Sequence, residues 1–360
     1  MNIKIFFFLI IVNISSINSV KVFSQSVDLF STILDVDSIS NFHREEAART
    51  GIVSILVKIT GDSKVLENYP KLIPYSKNAT NYLSSFSYIE DLNHSFNEKN
   101  HLRIKLNFQP EEIKQILIDA QAPFWGSKRP EILIWFINQS GATKSFSQGD
   151  DFDFINNLYE HIQFLGLPIV KPMLDLSEIS ILTEEKNWDE IYDGLFSQST
   201  KYNADIIYII QFSEKIDGGW LLLSLKKDYK DIILESYIGD DILNFLRIHF
   251  TNLASTLAKK FSIPSYNIST LDYHIIKISN INTYTRFRNL IMEMSHISAL
   301  ESIKVKKINR GDIYFSVPSN IPIQKLITII SLNKNLIKNE IDLQNNKDYR
   351  FDLSYKWMGQ

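Results

Sequence analysis

"APFWGSKRPEILIWF", Ala122 to Phe136, runs from a turn rich in Pro, Gly and basic residues straight into an apolar strand. Its second half continues as "PEILIWFIN", a near-unbroken series of large apolar side chains. A strand with one wet face alternates polar and apolar residues, whereas a strand covered on both faces has no need to. The run therefore predicts an interior strand with helices on either side, and the fold class follows as α/β with mixed sheets. The turn half has two readings. Trp125 and Arg129 could present a flat aromatic and a guanidinium fork to an anionic or sugar ligand. Alternatively, Pro123 and Pro130 stiffen a link, Gly126 permits a tight turn, and Trp125 covers the seam between two structural units. A strand that starts directly after Pro130 favours the seam. Trp125, Gly126, Arg129 and Pro130 are thus the candidate site, as binding residues or as an interdomain corner.

Before this stretch, from Val27 to about Gln121, the pattern is that of a first α/β module. "VDLFSTILDV" has strand composition. "NFHREEAARTGIVSILVKITGD" places Ala48, Ile52, Ile55, Leu56 and Ile59 on one helical stripe, with Gly61 as its stop. "HLRIKLNF" alternates Leu102, Ile104, Leu106 and Phe108 against polar residues, as a half-buried strand does. "QPEEIKQILIDA" opens a helix with Pro110 at its first position and two acids facing the positive helix end. The aromatic stripe Tyr82, Phe86 and Tyr88 reads as core.

After it, a central α/β domain is expected over 122–262. "DFINNLYEHIQFLG" predicts a helix closed at Gly166, "LPIVKPML" a short buried strand, and "NWDEIYDGLFSQSTKYN" a weaker helix interrupted at Gly194. Strand-like runs on either side of Asp217-Gly218-Gly219 form a hairpin signal, and "ILESYI" adds a further antiparallel strand. A closing helix begins at Asp240-Asp241 and ends at Lys259-Lys260, both favourable for the dipole. This order implies a mixed sheet between two helical layers. A smaller C-terminal βαββα module follows over 263–343, with a strand pair turning at Asn309-Arg310-Gly311. Residues 344–360 read as a polar, frayed tail.

The N-terminus predicts export. Lys4, the apolar run Ile5 to Val12 and a Ser/Asn-rich stretch make residues 1–26 a signal peptide, with cleavage after Ser19 or Ser26; an uncleaved anchor is the competing reading. The chain has no cysteine, so disulfides, thiolate metal sites and a Cys nucleophile are excluded. Without residues 1–26 the balance is 36 basic against 41 acidic residues. With no strong basic run beyond "KVKK", nucleic acid is not an expected partner.

Chemistry-bearing motifs are missing. The seven histidines, His43, His94, His101, His161, His249, His274 and His296, form no HExxH pair. Phosphate-binding glycine loops and a GxSxG elbow are absent. Asp150, Asp151 and Asp153 in "GDDFDF" lack the Gly and distal Glu of a Ca²⁺ loop and read as helix-capping acids, as do Asp240 and Asp241. No cofactor and no metal is predicted.

The order of "AARTGIVSILVKITGD", "LRIKLNFQPEEIKQIL", "APFWGSKRPEILIWF", "LGLPIVKPMLDL", "KYNADIIYIIQF" and "GGW" resembles the bacterial exported family called domain of unknown function 2066. The most specific pieces are Trp125-Gly126 with Arg129-Pro130, and Leu167-Pro168 followed by Pro172, Leu174, Asp175 and Leu176. Leu221 to Leu225 stand where a second Trp is expected. The resemblance implies an exported protein and assigns no catalytic residue. The expectation is therefore an uncharacterised periplasmic protein, non-catalytic, that binds envelope protein partners, with a peripheral membrane or peptidoglycan contact as a further option. The alternative is an enzyme or small-ligand receptor with a pocket around Trp125 and Arg129.

Overall fold

The computed structural model describes residues 27–90, 102–149, 151–182, 186–228, 231–265, 272–300, 303–318, 321–339 and 350–359. The expected signal peptide lies outside them. Among the described residues, ten α-helices and four sheets make a mixed α/β architecture.

The first segment holds β1 (Ser31–Asp35), α1 (Asn41–Thr60), α2 (Val65–Asn68), α3 (Ile73–Lys77), β2 (Leu83–Glu90), β3 (Leu102–Phe108) and α4 (Pro110–Ala120). Its antiparallel sheet has the order β1-β3-β2. The alternation in β3 buries Ile104, Leu106 and Phe108 against the Ile52, Ile55, Leu56 and Ile59 stripe of α1. One aromatic departs from expectation. Phe86 is exposed on the edge strand β2, where its ring meets the Arg44 guanidinium at 4.7 Å from the ring centre and Tyr88 edge-on at 6.0 Å.

The central segment contains β4 (Pro123–Phe124), β5 (Ile132–Ser140), β6 (Thr143–Phe146), α5 (Asp153–Phe164), β7 (Ile169–Val170), α6 (Leu176–Ile179), α7 (Trp188–Ser199), β8 (Ile206–Glu214), β9 (Trp220–Lys227), β10 (Ile232–Gly239), α8 (Ile242–Phe261) and β11 (Ile263–Pro264). The main sheet runs β10-β9-β8-β5, and β6 and β7 both pair with β5. β5 and β8 are parallel, from Ile132 opposite Ile206 to Asn138 opposite Phe212; β8, β9 and β10 are antiparallel. Ile132, Ile134 and Phe136 of β5 share a core with α5 and α8, while Leu133, Trp135 and Ile137 pack with Ile191, Leu195 and Phe196 of α7. The unbroken apolar run is therefore an interior strand between helical layers.

Two expectations here need correction. Gly194 does not interrupt α7, which is continuous over Trp188–Ser199. A Cβ at Gly194 would lie 3.2 Å from Ile181 Cγ2, so the missing side chain permits a close approach instead of breaking the helix. β7 is only two residues long and half-buried, since it flanks just the first residues of β5.

The third segment holds β12 (Tyr273–Ser279), α9 (Tyr284–Ser295), β13 (Lys304–Asn309), β14 (Asp312–Pro318), α10 (Ile323–Ile330), β15 (Leu336–Lys338) and β16 (Leu353–Trp357). Its sheet order is β13-β14-β12-β16-β15. The frayed tail expected over 344–360 is thus wrong for 353–357. β16 lies parallel to β12 inside the sheet, and Leu353, Tyr355 and Trp357 are buried in the local core. Alternating apolar residues outweigh the polar stretch before them.

The first and central segments share one continuous core, in which Leu29, Ile55 and Ile104 join Ile134, Leu158 and Phe250. The third segment has a core of its own, although its Leu332 joins the shared one. Among the described residues no helix is long and apolar enough to cross a membrane.

Candidate functional site

The stretch from Ala122 lies where the three segments meet. β4 pairs with β11, setting Phe124 opposite Ile263 at the exit of α8. The Trp125 amide then donates to Ile59 O at 2.9 Å, beside the end of α1. The Ser127 hydroxyl and the Lys128 amide both donate to His296 O in the third segment, at 3.4 and 3.3 Å. Farther on, the Glu131 amide donates to Asp205 Oδ2 at 2.8 Å and the Ile132 amide to Pro168 O at 2.9 Å. Lys334 closes the junction from the third segment, with Nζ 3.3 Å from Asp205 Oδ1 and hydrogen-bonded to Asn203 O. The two prolines suit this route, because Pro130 fixes the backbone where the turn must become strand.

Arg129 is 2% exposed and gives every guanidinium N–H to a main-chain carbonyl. Nε donates to Gly126 O (2.9 Å); Nη1 donates to Leu165 O (3.3 Å) and Gly166 O (2.9 Å); Nη2 donates to Lys58 O (2.8 Å) and Trp125 O (2.9 Å). Its Cζ lies 3.9 Å from the centre of the Trp125 ring, so the cation is also stacked. These acceptors are not arbitrary. Lys58 is in the last turn of α1, and Leu165 and Gly166 directly follow α5, where carbonyls lack intrahelical partners and carry the negative end of the dipole. Two helix C-termini and a turn take the place of a counter-ion. Burial lowers the Arg129 pKa to about 9, which leaves it charged at neutral pH.

A second cation sits alongside. Lys58 donates to Asp28 O and Ser31 O at 3.3 and 2.8 Å. Burial lowers its pKa to about 8, with a raising influence from Asp28 and a lowering one from Arg129. Gly166 makes room for both. With φ at 71°, it has the left-handed conformation that glycine favours, and a Cβ there would stand 2.5 Å from Arg129 Nη1 and 2.6 Å from Lys58 Cγ.

The geometry brings Trp125, Gly126, Arg129 and Pro130 together, all buried. Trp125 is 1% exposed, and a guanidinium with all its donors engaged has none left for a ligand. What the arrangement can do chemically is cross-link main chain from α1, α5 and the turn. The alternative of a ligand pocket around Trp125 and Arg129 finds no accessible polar group here.

The remaining motifs are local. Asp151 Oδ2 accepts from the Gln148 amide at 2.7 Å, and Asp241 caps α8 through the Asn244 amide at 2.9 Å. Asp153 lies in the first turn of α5, whereas Asp150 falls outside the described residues, as do His94 and His101. Among the described residues no group of three or more His, Cys, Asp or Glu is placed to hold a metal ion. His161 meets Thr251 and Arg247 O, and His274 meets Ile321 O.

Two polar clusters escaped the sequence reading. His249 of α8 bridges Glu235 of β10, Nδ1 to Oε2 at 2.8 Å, and the buried Tyr208 hydroxyl of β8, at 2.9 Å from Nε2. Burial lowers the His249 pKa and Glu235 partly offsets that effect. On the opposite face of the sheet, fully buried Glu178 takes the Tyr202 hydroxyl at 2.5 Å and Lys201 Nζ at 2.7 Å. The Asp175–Glu178 capping box, a local sequence signal, could have pointed to the second. Nothing in local spacing could have found the first, because its members lie on three separate elements.

Comparison with known proteins adds little chemistry. Residues 24–126 match a family model described as a domain of unknown function (DUF8605). No curated protein matches the sequence. A solved structure described as "Crystal structure of uncharacterized protein" is similar over 37% of this chain and 92% of that one, at 10% identity and a TM-score of 0.17.

Proposed function

We propose that this chain is an exported periplasmic protein that works without catalysis, by binding an envelope protein partner. The observation that carries this reading is the free edge of the central sheet. Among the described residues β10 pairs only with β9, and Ile232, Leu234 and Ile238 on one of its faces are 59%, 60% and 68% exposed. An eight-residue apolar edge strand is a template for a strand from another chain, and proteins normally blunt such edges with Lys, Pro or a cover. The short basic start and apolar run of residues 1–26 support export. The motif order that resembles domain of unknown function 2066 supports a bacterial envelope family, although the family model matched over residues 24–126 is a different one, and the burial of Trp125 and Arg129 removes them from the partner surface.

Crosslinking in intact cells followed by mass spectrometry tests the reading. Wild type should give one specific envelope partner, lost in Leu234→Lys and Ile238→Lys at matched folded abundance. Turnover of a substrate by the purified chain, or a partner retained by both variants, would overturn it. N-terminal sequencing that begins at Met1 would defeat the export part alone.

A further inference from the structure

An open cavity of about 510 Å³ lies where β1, α1 and α3 meet the end of α5. Its apolar lining comes from Leu34, Val53 and Phe164, the last of these 39% exposed although it is a large aromatic at a helix end. Arg49 and Lys77 also line it, and both are exposed, which places two cations at its mouth. The only carboxylate ion-paired to either among the described residues is Glu45, at the 4.0 Å limit from Arg49. Ser54 lines the cavity too. It is 3% exposed, and the neighbouring Ser76 hydroxyl donates to Ile73 O at 2.9 Å.

We propose that this cavity binds a fatty-acid carboxylate. The tail lies against Leu34, Val53 and Phe164, and the carboxylate meets Arg49 and Lys77. An apolar lining beside a few polar groups is the usual chemistry of small-molecule sites. Charge complementarity decides the occupant. A neutral amphiphile would leave both cations without a use, and a short anion would leave the apolar wall wet. The site is independent of the β10 edge and of the partner reading.

Calorimetric titration of the purified protein with dodecanoate, below its micelle concentration, tests this. Saturable one-to-one binding is expected, weaker by about tenfold or more for dodecanol and for acetate. Arg49→Gln with Lys77→Gln should weaken dodecanoate by about tenfold or more, with the melting temperature unchanged because both side chains are exposed, and Phe164→Ala should weaken it by a few-fold. Four results would overturn the proposal: no saturable binding, equal affinity for dodecanol, undiminished binding in the double variant, or dodecyl phosphate binding at least as tightly as dodecanoate.

Discussion

Arg129 and His249 are both bases held deep between a helix and other elements, and they are satisfied in opposite ways. Arg129 is surrounded by neutral carbonyls, two sets of them at helix C-termini, with no carboxylate among its five acceptors. His249 is held by a carboxylate, Glu235, and by a hydroxyl, Tyr208. The first arrangement ties main chain to main chain and contains no acidic partner that could be protonated. The second ties side chain to side chain at the free edge of a sheet, and it rests on groups that change charge. A junction that must stay closed and an edge that can respond to its surroundings thus use different chemistry.

The largest effect expected is at the junction. Arg129→Ala should destabilise the protein by more than about 4 kcal/mol, since several charge-assisted hydrogen bonds disappear and buried carbonyls are left unpaired. Arg129→Lys should recover only part of that, because an ammonium has three donors for five acceptors. Chemical denaturation of both variants measures this, and a loss below about 1 kcal/mol for the alanine variant would end the distinction drawn above. Gly166→Ala comes next, at roughly 2 kcal/mol, from its positive φ and the collision with Arg129 and Lys58.

Smaller effects separate the two regions by pH. Lys58 has a folded pKa of about 8 against an ordinary 10.5. Below pH 8 both states hold the proton and stability has no slope from this group. Between pH 8 and 10.5 the unfolded chain holds more protons, so its contribution rises with pH. The neutral amine still has two N–H groups for Asp28 O and Ser31 O, and Lys58→Met should remove the rise. His249 acts at the other end. Its folded pKa is lowered, by burial first and by Lys226 as well, against the pull of Glu235. Below pH 6.5 the unfolded chain therefore takes up protons first, and stability falls until the folded pKa is passed. Denaturation midpoints at pH 7.5, 6.5 and 5.5 should show this fall in wild type and a smaller one in His249→Gln. An equal fall in the variant would place the acid response elsewhere.

Much of the architecture could be read locally. The α1 stripe, the β3 alternation and the unbroken β5 run each state their burial in their own spacing, and each is buried as spaced. The errors arose where distant chain sets the outcome. Gly194 looks like a helix breaker until Ile181 is seen against it. Leu353, Tyr355 and Trp357 alternate as a strand, but only β12 and β15 on either side turn that short pattern into a sheet interior. For the site, the residues were legible and the role was half so. Two prolines, a glycine and a tryptophan announced a corner, whereas the five carbonyls on Arg129 come partly from residues 58, 165 and 166, which no local pattern connects.

The inward position of β16 bears on the order in which the protein is made. β12 is synthesised some eighty residues before the strand that lies beside it, and until 353–357 emerge its parallel flank and β15 have no neighbour. A chain released from the ribosome or threaded across a membrane from its N-terminus would complete the shared core of the first two segments while the third sheet still stood open. Non-local parallel pairing of this kind is slow to form. The third segment is therefore the place where a holding chaperone, or a protease, would have the longest time to act.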